Sequence, residues 1–306
     1  MQDKVSRRGV IQLAGGAALG AAAIGSLGLG SRAERPSFRL VSGQTDLLIR
    51  DGSPHWWNSP DIWVVPGSNP NGPPGSPFSG GQAWVWARVQ NVSRMDASDV
   101  AVNYYWGDPS TAMYFSTVNH IGTATLDIAA GATLDVLCPT PWNVVTVNGG
   151  HECLIATASL PDDPALPNLI DPPSYQNVAQ KNLTVILAPD ENLVQTWVQA
   201  DLERPKKVQI SWGFGGPLPA ETLAYLGRKG YRFARQPAID VTLAAEPKGE
   251  DGPVLDLFVP AGKRVPFYVR TKPVGPLAPG EYQVVHIVEH EQGVPLGGIS
   301  FLVVQK

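Results

Sequence analysis

The sequence has few charged side chains, no run of basic residues and no long amphipathic helix. Charged residues make up 16% of the 306 residues, and no extended segment places apolar residues at helical spacing beneath a charged outer face. The formal net charge is −4. A mildly acidic chain without a basic run is a poor partner for nucleic acid or for an anionic lipid surface, so we expect neither.

Motifs that mark a catalytic or cofactor site are also missing. The chain contains no nucleophile elbow, no glycine-rich phosphate loop, no CxxC pair and no paired acids in a recognisable frame. We expect no cofactor, no bound metal ion and no catalytic residue. A non-catalytic protein is therefore favoured, with an enzyme kept as an alternative.

Glycine and proline are abundant, with 32 and 29 residues, and 43% of the chain is apolar. That composition is typical of a folded core interrupted by many turns. The short segments between the turns alternate apolar and polar residues with the period of a strand. Val85, Ala87 and Val89, for example, share one face, and Trp84 and Trp86 lie opposite them. The sequence therefore predicts an all-β protein.

The strand patterns divide into two sets. The predicted strands of the first set are 46–50, 61–65, 83–90, 100–106, 123–128, 133–138, 153–158 and 182–186. Those of the second set are 193–200, 207–212, 239–243, 254–259, 264–271, 281–289 and 298–304, with one short helix at 219–227. Two immunoglobulin-like β-sandwiches in tandem fit this pattern, and barrels are the alternative. We place a signal segment at 1–33 and the domains at 34–187 and 188–306.

The first 33 residues have the layout of a targeting peptide. Arg7 and Arg8 precede a weakly apolar run over 13–30, and small residues follow up to Ala33. The paired arginines resemble a twin-arginine signal, which implies export to the periplasm, the cell surface or the exterior of a bacterial cell. Cleavage after Ala33 is expected, and retention as a membrane anchor is the alternative. No later segment has membrane-spanning length, so the mature chain is not expected to span a membrane.

Four segments of the first half carry a family resemblance. They are 55–64 (HWWNSPDIWV), 85–91 (VWARVQN), 104–110 (YYWGDPS) and 151–156 (HECLIA). Together they resemble the cell-adhesion-related, CARDB-like immunoglobulin modules of exported bacterial proteins, over about residues 46–187. The resemblance implies a non-catalytic module of the kind found beside secreted enzymes or adhesins. The second half is similar to a generic sandwich only.

Aromatic side chains give the candidate binding residues. Seven of the nine tryptophans lie in the first half, and Trp84 and Trp86 lie opposite the apolar face of their strand. With Tyr105 they are candidates for contact with a sugar ring or a peptide, so the expected partner is a protein or a carbohydrate at the cell surface. In the other interpretation, which the sequence favours, the second domain or the proline-rich loop 66–81 covers this face.

The only two cysteines, Cys138 and Cys153, flank the loop 139–150 in a chain predicted to reach an oxidising compartment. A disulfide between them would contribute about 3 kcal/mol by the loop-entropy model. The alternative is two buried free cysteines that act as small apolar side chains.

Histidines supply the other candidate chemistry. His151 and Glu152 point to opposite faces of a predicted strand, which favours a structural role. His286 and His290 would share a face but lie about 13 Å apart, too far to hold one ion, and a solvated face is expected there. These residues would form the site of a secreted hydrolase or a metal-dependent enzyme, which is the second class of function considered.

Three classes of function follow. The favoured one is a non-catalytic exported protein of the binding or adhesion type, built of two immunoglobulin-like sandwiches. The second is the secreted hydrolase or metal-dependent enzyme. The third is a structural subunit of a cell-surface assembly, which would require an exposed edge strand on one of the sandwiches.

Overall fold

Strands form nearly all of the regular structure. The computed structural model describes residues 46–78, 80–145, 152–161, 166–188, 190–249 and 252–305. The signal segment with Arg7 and Arg8, and also His151, lies outside the described residues. The described residues all belong to one compact unit. The predicted all-β fold class is confirmed.

The described residues of the first half form nine strands. They are β1 Leu47–Leu48, β2 Ile62–Pro66, β3 Gln82–Asn91, β4 Ala97–Gly107, β5 Asn119–Ile128, β6 Thr133–Leu137, β7 Trp142–Asn143, β8 Cys153–Ser159 and β9 Val178–Lys181. In one sheet, β1 and β2 lie on one side of β3, and β6 and β7 lie on its other side. The facing sheet has the order β5-β4-β8-β9. This Greek-key order is that of an immunoglobulin-like sandwich.

The first core lies between these two sheets. Val85 and Ala87 of β3 and Val102 and Tyr104 of β4 are buried there, because alternate residues of each strand face the opposite sheet. Tyr104 Oη also donates a hydrogen bond to the Val136 carbonyl oxygen over 2.7 Å. Each large apolar side chain buried in this way stabilises the fold by about 1.5–3 kcal/mol.

The described residues of the second half form nine more strands and one helix. They are β10 Leu183–Leu187, β11 Asn192–Gln199, β12 Lys206–Phe214, α1 Ala220–Tyr225, β13 Arg232–Phe233, β14 Ile239–Ala244, β15 Val254–Val259, β16 Arg264–Pro273, β17 Glu281–Glu291 and β18 Val294–Val304. The larger sheet has the order β10-β18-β17-β12-β15, with β13 also paired to β17, and the facing sheet has the order β11-β16-β14. Ile210, Phe267 and Phe301 belong to the core between them.

The predicted helix at 219–227 is confirmed as α1, and its end has a clear cause. Gly227 lies just beyond the helix at a φ of +69°, a conformation that glycine adopts without steric penalty. Its N–H donates to the Ala224 carbonyl oxygen over 3.0 Å, and the Arg228 N–H donates to the Leu223 carbonyl oxygen over 2.7 Å. This pair of bonds is a Schellman motif, which satisfies the last carbonyl groups of the helix.

The fifteen predicted strands all correspond to observed strands, with ends displaced by at most four residues. Strands β7, β9 and β13 are not predicted, because a pattern of period two cannot be recognised over two to four residues. Strand 182–186 is predicted within the first half, and the observed β10 pairs in parallel with β18, the last strand of the second half. Alternation identifies a strand but not the sheet that it joins.

The chain passes from one sandwich to the other without a linker. Strand β9 pairs with β8 in the first half, β10 pairs with β18 in the second, and only Asn182 separates them. The Asn182 side chain donates to the carbonyl oxygens of Ser110 and Gly298 over 3.2 and 2.9 Å. Its backbone N–H donates to Trp57 O, and its carbonyl oxygen accepts from Ser300 N. Asn182 thus joins segments of both halves. The division at residues 187 and 188 stays a prediction.

Candidate functional site

A cavity of about 140 Å³ lies where the two sandwiches and α1 meet. Its aromatic walls are Trp63 of β2, Trp142 of β7 and Tyr225 of α1. Two ionisable side chains, Glu152 and Lys181, also line it. Elements that are far apart in the sequence therefore bring rings and charges together at the junction.

Lys181 is the most unusual residue of this cavity. It is the last residue of β9, a strand of four buried residues, and only 7% of its surface is exposed. Its Nζ donates to the Ser59 carbonyl oxygen over 3.2 Å. An ammonium group has three N–H donors, and the described residues provide an acceptor for one of them.

Burial lowers the pKa of Lys181 to about 8, although the negative charges of Asp61 and Glu221 raise it in part. The direction follows from desolvation, which disfavours the charged form of an amine. At pH 7 the side chain therefore still carries a positive charge, inside a wall that is mostly apolar.

Three aromatic rings stack beside the cavity. The Trp63 and Trp86 ring centroids are 5.9 Å apart with an angle of 8° between the planes, and those of Trp63 and Tyr225 are 4.7 Å apart with an angle of 12°. The guanidinium carbon of Arg88 lies 5.6 Å from the Trp63 centroid. Because Tyr225 belongs to α1, the stack joins the second half of the chain to the outer face of the first sandwich.

Charged hydrogen bonds fix α1 in this position. Arg88 donates from Nε to Asp135 Oδ1 over 2.7 Å and from Nη1 to Glu221. Tyr225 Oη donates to Glu221 Oε1 over 3.0 Å. Burial raises the pKa of the Glu221 carboxyl, but the hydrogen bonds from Arg88 and Tyr225 outweigh it, and the net shift is downward. Glu221 is therefore ionised and holds the helix against β3.

The structure does not present Trp84 and Trp86 as an exposed patch. Both side chains are half-buried. Trp86 Nε1 donates to the Pro70 carbonyl oxygen over 3.2 Å, and α1 adds Tyr225 to the same stack. Pro70 of loop 66–81 and Tyr225 of the second half therefore lie over the outer face of β3, which is the covered arrangement that the sequence analysis favours over an open binding face.

Tyr105 lies away from these tryptophans. It belongs to β4, in the sheet that faces β3 across the core, and it points to the outer side of that sheet with the rings of Phe115 and His120. The centroids of those two rings are 5.6 and 5.2 Å from that of Tyr105. Burial raises the pKa of the Tyr105 phenol. Tyr105 thus forms no common surface with Trp84 and Trp86.

Cys138 and Cys153 are both buried and free. The disulfide prediction was wrong, and the reason is the direction of the two side chains. Cys138 lies in the core between the two sheets, whereas Cys153 and Ile155 of β8 pack with Met113 on the outer side of their sheet. Burial raises the pKa of both thiols. They act as small apolar side chains.

His286 is buried, so the predicted solvated face was wrong there. Its Nδ1 lies 2.7 Å from Ser300 Oγ, and its ring stacks on His55 with centroids 3.6 Å apart. Burial, and to a lesser degree His55, lowers the pKa of His286 to about 3. Within the described ranges, no group of three or more His, Cys, Asp and Glu side chains converges as metal ligands do.

Sequence reasoning missed the cavity residues Trp63, Trp142, Lys181 and Tyr225. Only Lys181 has a local signal, because it is the last of the four buried residues of β9. That strand is too short to be recognised from the sequence. The others come from separate elements, and no pattern along the chain relates them. None of the described helices is long and apolar enough to cross a membrane.

No family model matches the chain, and no curated protein matches it. Among solved structures, it is similar to the CupB6 tip adhesin from Pseudomonas aeruginosa, with 8% identity over 80% of this chain and 96% of that one, at a TM-score of 0.22. The collagen adhesin CNA from S. aureus has 10% identity over 80% and 92% of the two chains, at a TM-score of 0.23.

Red sea bream transglutaminase is also similar, with 9% identity over 80% of this chain, at a TM-score of 0.21. The chain spans only 31% of that protein's length. Because such scores do not define a common fold, the fold assignment depends on the strand order described above.

Proposed function

We propose that this chain is a non-catalytic binding protein, exported from the cell, whose ligand occupies the cavity between the two sandwiches. The observation that carries the proposal is Lys181, a buried positive charge at the wall of an aromatic cavity. A surface lysine needs no explanation, but a buried one with a single hydrogen bond lowers the stability of the fold. Binding of a ligand gives a reason for its presence.

The frame around the cavity supports this proposal, because it is fixed before any ligand arrives. Asn182 bonds segments of both halves, and Arg88 and Glu221 hold α1 against β3. A second set of contacts joins the halves at Thr111, whose backbone N–H donates to the Trp197 carbonyl oxygen over 3.1 Å and whose hydroxyl donates to Glu289. Binding at a preformed site loses little conformational entropy.

The finer parts of the proposal derive from the sequence. Export is supported by Arg7 and Arg8 before the apolar run, and membership among the CARDB-like modules by the four segments quoted above. A binding or adhesion-type role at the cell surface, with a protein or a carbohydrate as partner, combines these with two immunoglobulin-like domains in tandem. A ring from such a partner would enter the cavity.

The test is whether a neutral ring compound enters the cavity. Ser76 is exposed and lines the cavity, whereas Ser68 is exposed in the same loop and does not line it. We expect phenol to bind the full chain in calorimetric titration, Ser76→Trp to abolish binding by filling the entrance, and the matched control Ser68→Trp to leave it unchanged. Phenol that binds both variants equally would contradict the proposal, as would the failure of phenol and of every other six-membered ring compound tested to bind.

A second candidate function has one observation in its favour. Strand β15 is at the end of its sheet, and its Val254 and Phe258 side chains are 44% and 57% exposed. An apolar edge strand can pair with another chain, as a structural subunit of a surface assembly would require. Sedimentation velocity of the purified chain distinguishes the two, because a subunit would form assemblies that Phe258→Lys disrupts.

A further inference from the structure

The size of the cavity limits the ligand to one ring. Its volume is about 140 Å³, and a protein cavity of about 150 Å³ is known to hold one benzene molecule. Apolar side chains of Leu154 and Leu226 line it together with the aromatic walls. A six-membered ring, aromatic or saccharide, therefore fits inside the cavity.

The polar groups of the cavity define the rest of the ligand. Trp142 is 2% exposed, and its Nε1 is buried without a hydrogen-bond partner. Lys181 Nζ has one acceptor, the Ser59 carbonyl oxygen, for its three N–H groups. Both side chains can only donate, and one of them is a cation. The group that satisfies the Lys181 ammonium is an anion with several acceptor sites, as a carboxylate is.

Glu152 sets an upper limit on the charge of that anion. Its carboxylate lines the same cavity, so a doubly charged group such as phosphate would meet repulsion that a single carboxylate on the Lys181 side avoids.

We infer that the cavity binds a monocarboxylate built on one six-membered ring, with the carboxylate toward Lys181 and Trp142. This inference rests on the proposed function and names the ligand class of the same site. The shared chemistry has two sources, an aromatic acid and a uronic acid unit of a polysaccharide. Comparison with neutral amides of the same shape separates the contribution of the charge to binding from that of the ring.

The experiment is calorimetric titration of the full chain at pH 7 with benzoate against benzamide and with glucuronate against glucuronamide. We expect at least one carboxylate to bind about tenfold more tightly than its amide, which is the usual size of a charged hydrogen-bond effect. Preference for benzoate identifies the aromatic source, and preference for glucuronate identifies the sugar source. Lys181→Met should remove the preference, and the exposed control Lys207→Met should keep it.

Trp142→Phe keeps the ring and removes the unpaired N–H, so we expect it to weaken binding of the carboxylate and of its amide alike, because both have an oxygen that accepts from this neutral donor. If Lys181→Met fails to fold, the comparison of each carboxylate with its amide on the natural chain still decides the ligand class. Amides that bind as tightly as the carboxylates would overturn the ligand class while leaving the proposed function in place. If phenol and all four compounds fail to bind, both are overturned.

Discussion

Two buried lysines lie near the junction of the sandwiches, and only one of them has a carboxylate partner. Lys206 is 5% exposed, and its Nζ lies 2.5 Å from Oε1 of Glu289, which is itself fully buried and also accepts from Thr111. Lys181 is 7% exposed and bonds only the Ser59 carbonyl oxygen within the described part of the chain. The difference separates a lysine that serves the fold from one that is available to a ligand.

The buried polar groups that contact Ser300 have hydrogen-bond partners within the protein, as Lys206 does. Ser300 Oγ accepts from Trp57 Nε1 over 2.9 Å and lies within hydrogen-bond distance of Asn58 and His286. In the orientation that satisfies both ends of its amide, Asn58 accepts from Ser300 and donates to the Asn182 carbonyl oxygen. A serine beside a histidine is here a structural contact, because both are buried and Ser300 Oγ and His286 Nδ1 are hydrogen-bonded to each other.

The largest expected effect is at the paired lysine. Lys206→Met leaves Glu289 buried with a negative charge and only the Thr111 hydroxyl as partner, and removal of one member of a buried ion pair costs about 3–5 kcal/mol. Urea unfolding of the variant should show that loss. The control Glu291→Gln removes the exposed pair with Arg204 and should cost about 1 kcal/mol at most. Equal losses in both variants would contradict the structural role of Lys206.

The next largest effect is expected from acid, which should lower the free energy of unfolding through His286, the histidine bonded to Ser300. The folded-state pKa of His286 is about 3, whereas an unfolded histidine titrates near 6.5. Between these values the unfolded state binds the proton and the folded state does not, so stability falls as the pH falls. From pH 6.5 to pH 5 we expect a loss of about 2 kcal/mol from this group. His286→Gln should reduce that slope, and an unchanged slope would show that His286 is not buried in its neutral form.

The smallest effect on the free energy of unfolding is expected at the cysteines, because a buried thiol needs no hydrogen-bond partner. Thiols are weak donors and behave as small apolar groups in a core. Titration of the denatured, non-reduced chain should therefore find two thiols, and a reductant should change the free energy of unfolding by less than about 0.5 kcal/mol. A chain without free thiols would restore the predicted link between Cys138 and Cys153.

The sequence predicts the layers of this fold better than it predicts the site. Alternation along β3 places Val85 and Ala87 in the core, and the turn residues separate the strands, because both effects act over a few neighbouring residues. What lies over the outer face of a strand depends on elements far along the chain. Trp86 is therefore covered by Pro70 and Tyr225, and Cys153 points away from Cys138, although the local pattern is the same in either case.

The measurement that tests the central claim most directly is the unfolding free energy of Lys181→Met. If Lys181 is kept for a ligand, the variant should be more stable than the natural chain by about 1–2 kcal/mol, because methionine avoids burying a charge.

The pH dependence of the unfolding free energy shows whether the buried charge of Lys181 causes this difference in stability. The pKa of Lys181 is about 8 in the folded chain and near 10.4 when unfolded. The natural chain should therefore gain about 1 kcal/mol between pH 8.5 and 9.5, and the variant should not gain from this group. A variant that loses several kcal/mol, as Lys206→Met is expected to do, would show that Lys181 is a structural lysine and would contradict the binding site proposed at this cavity.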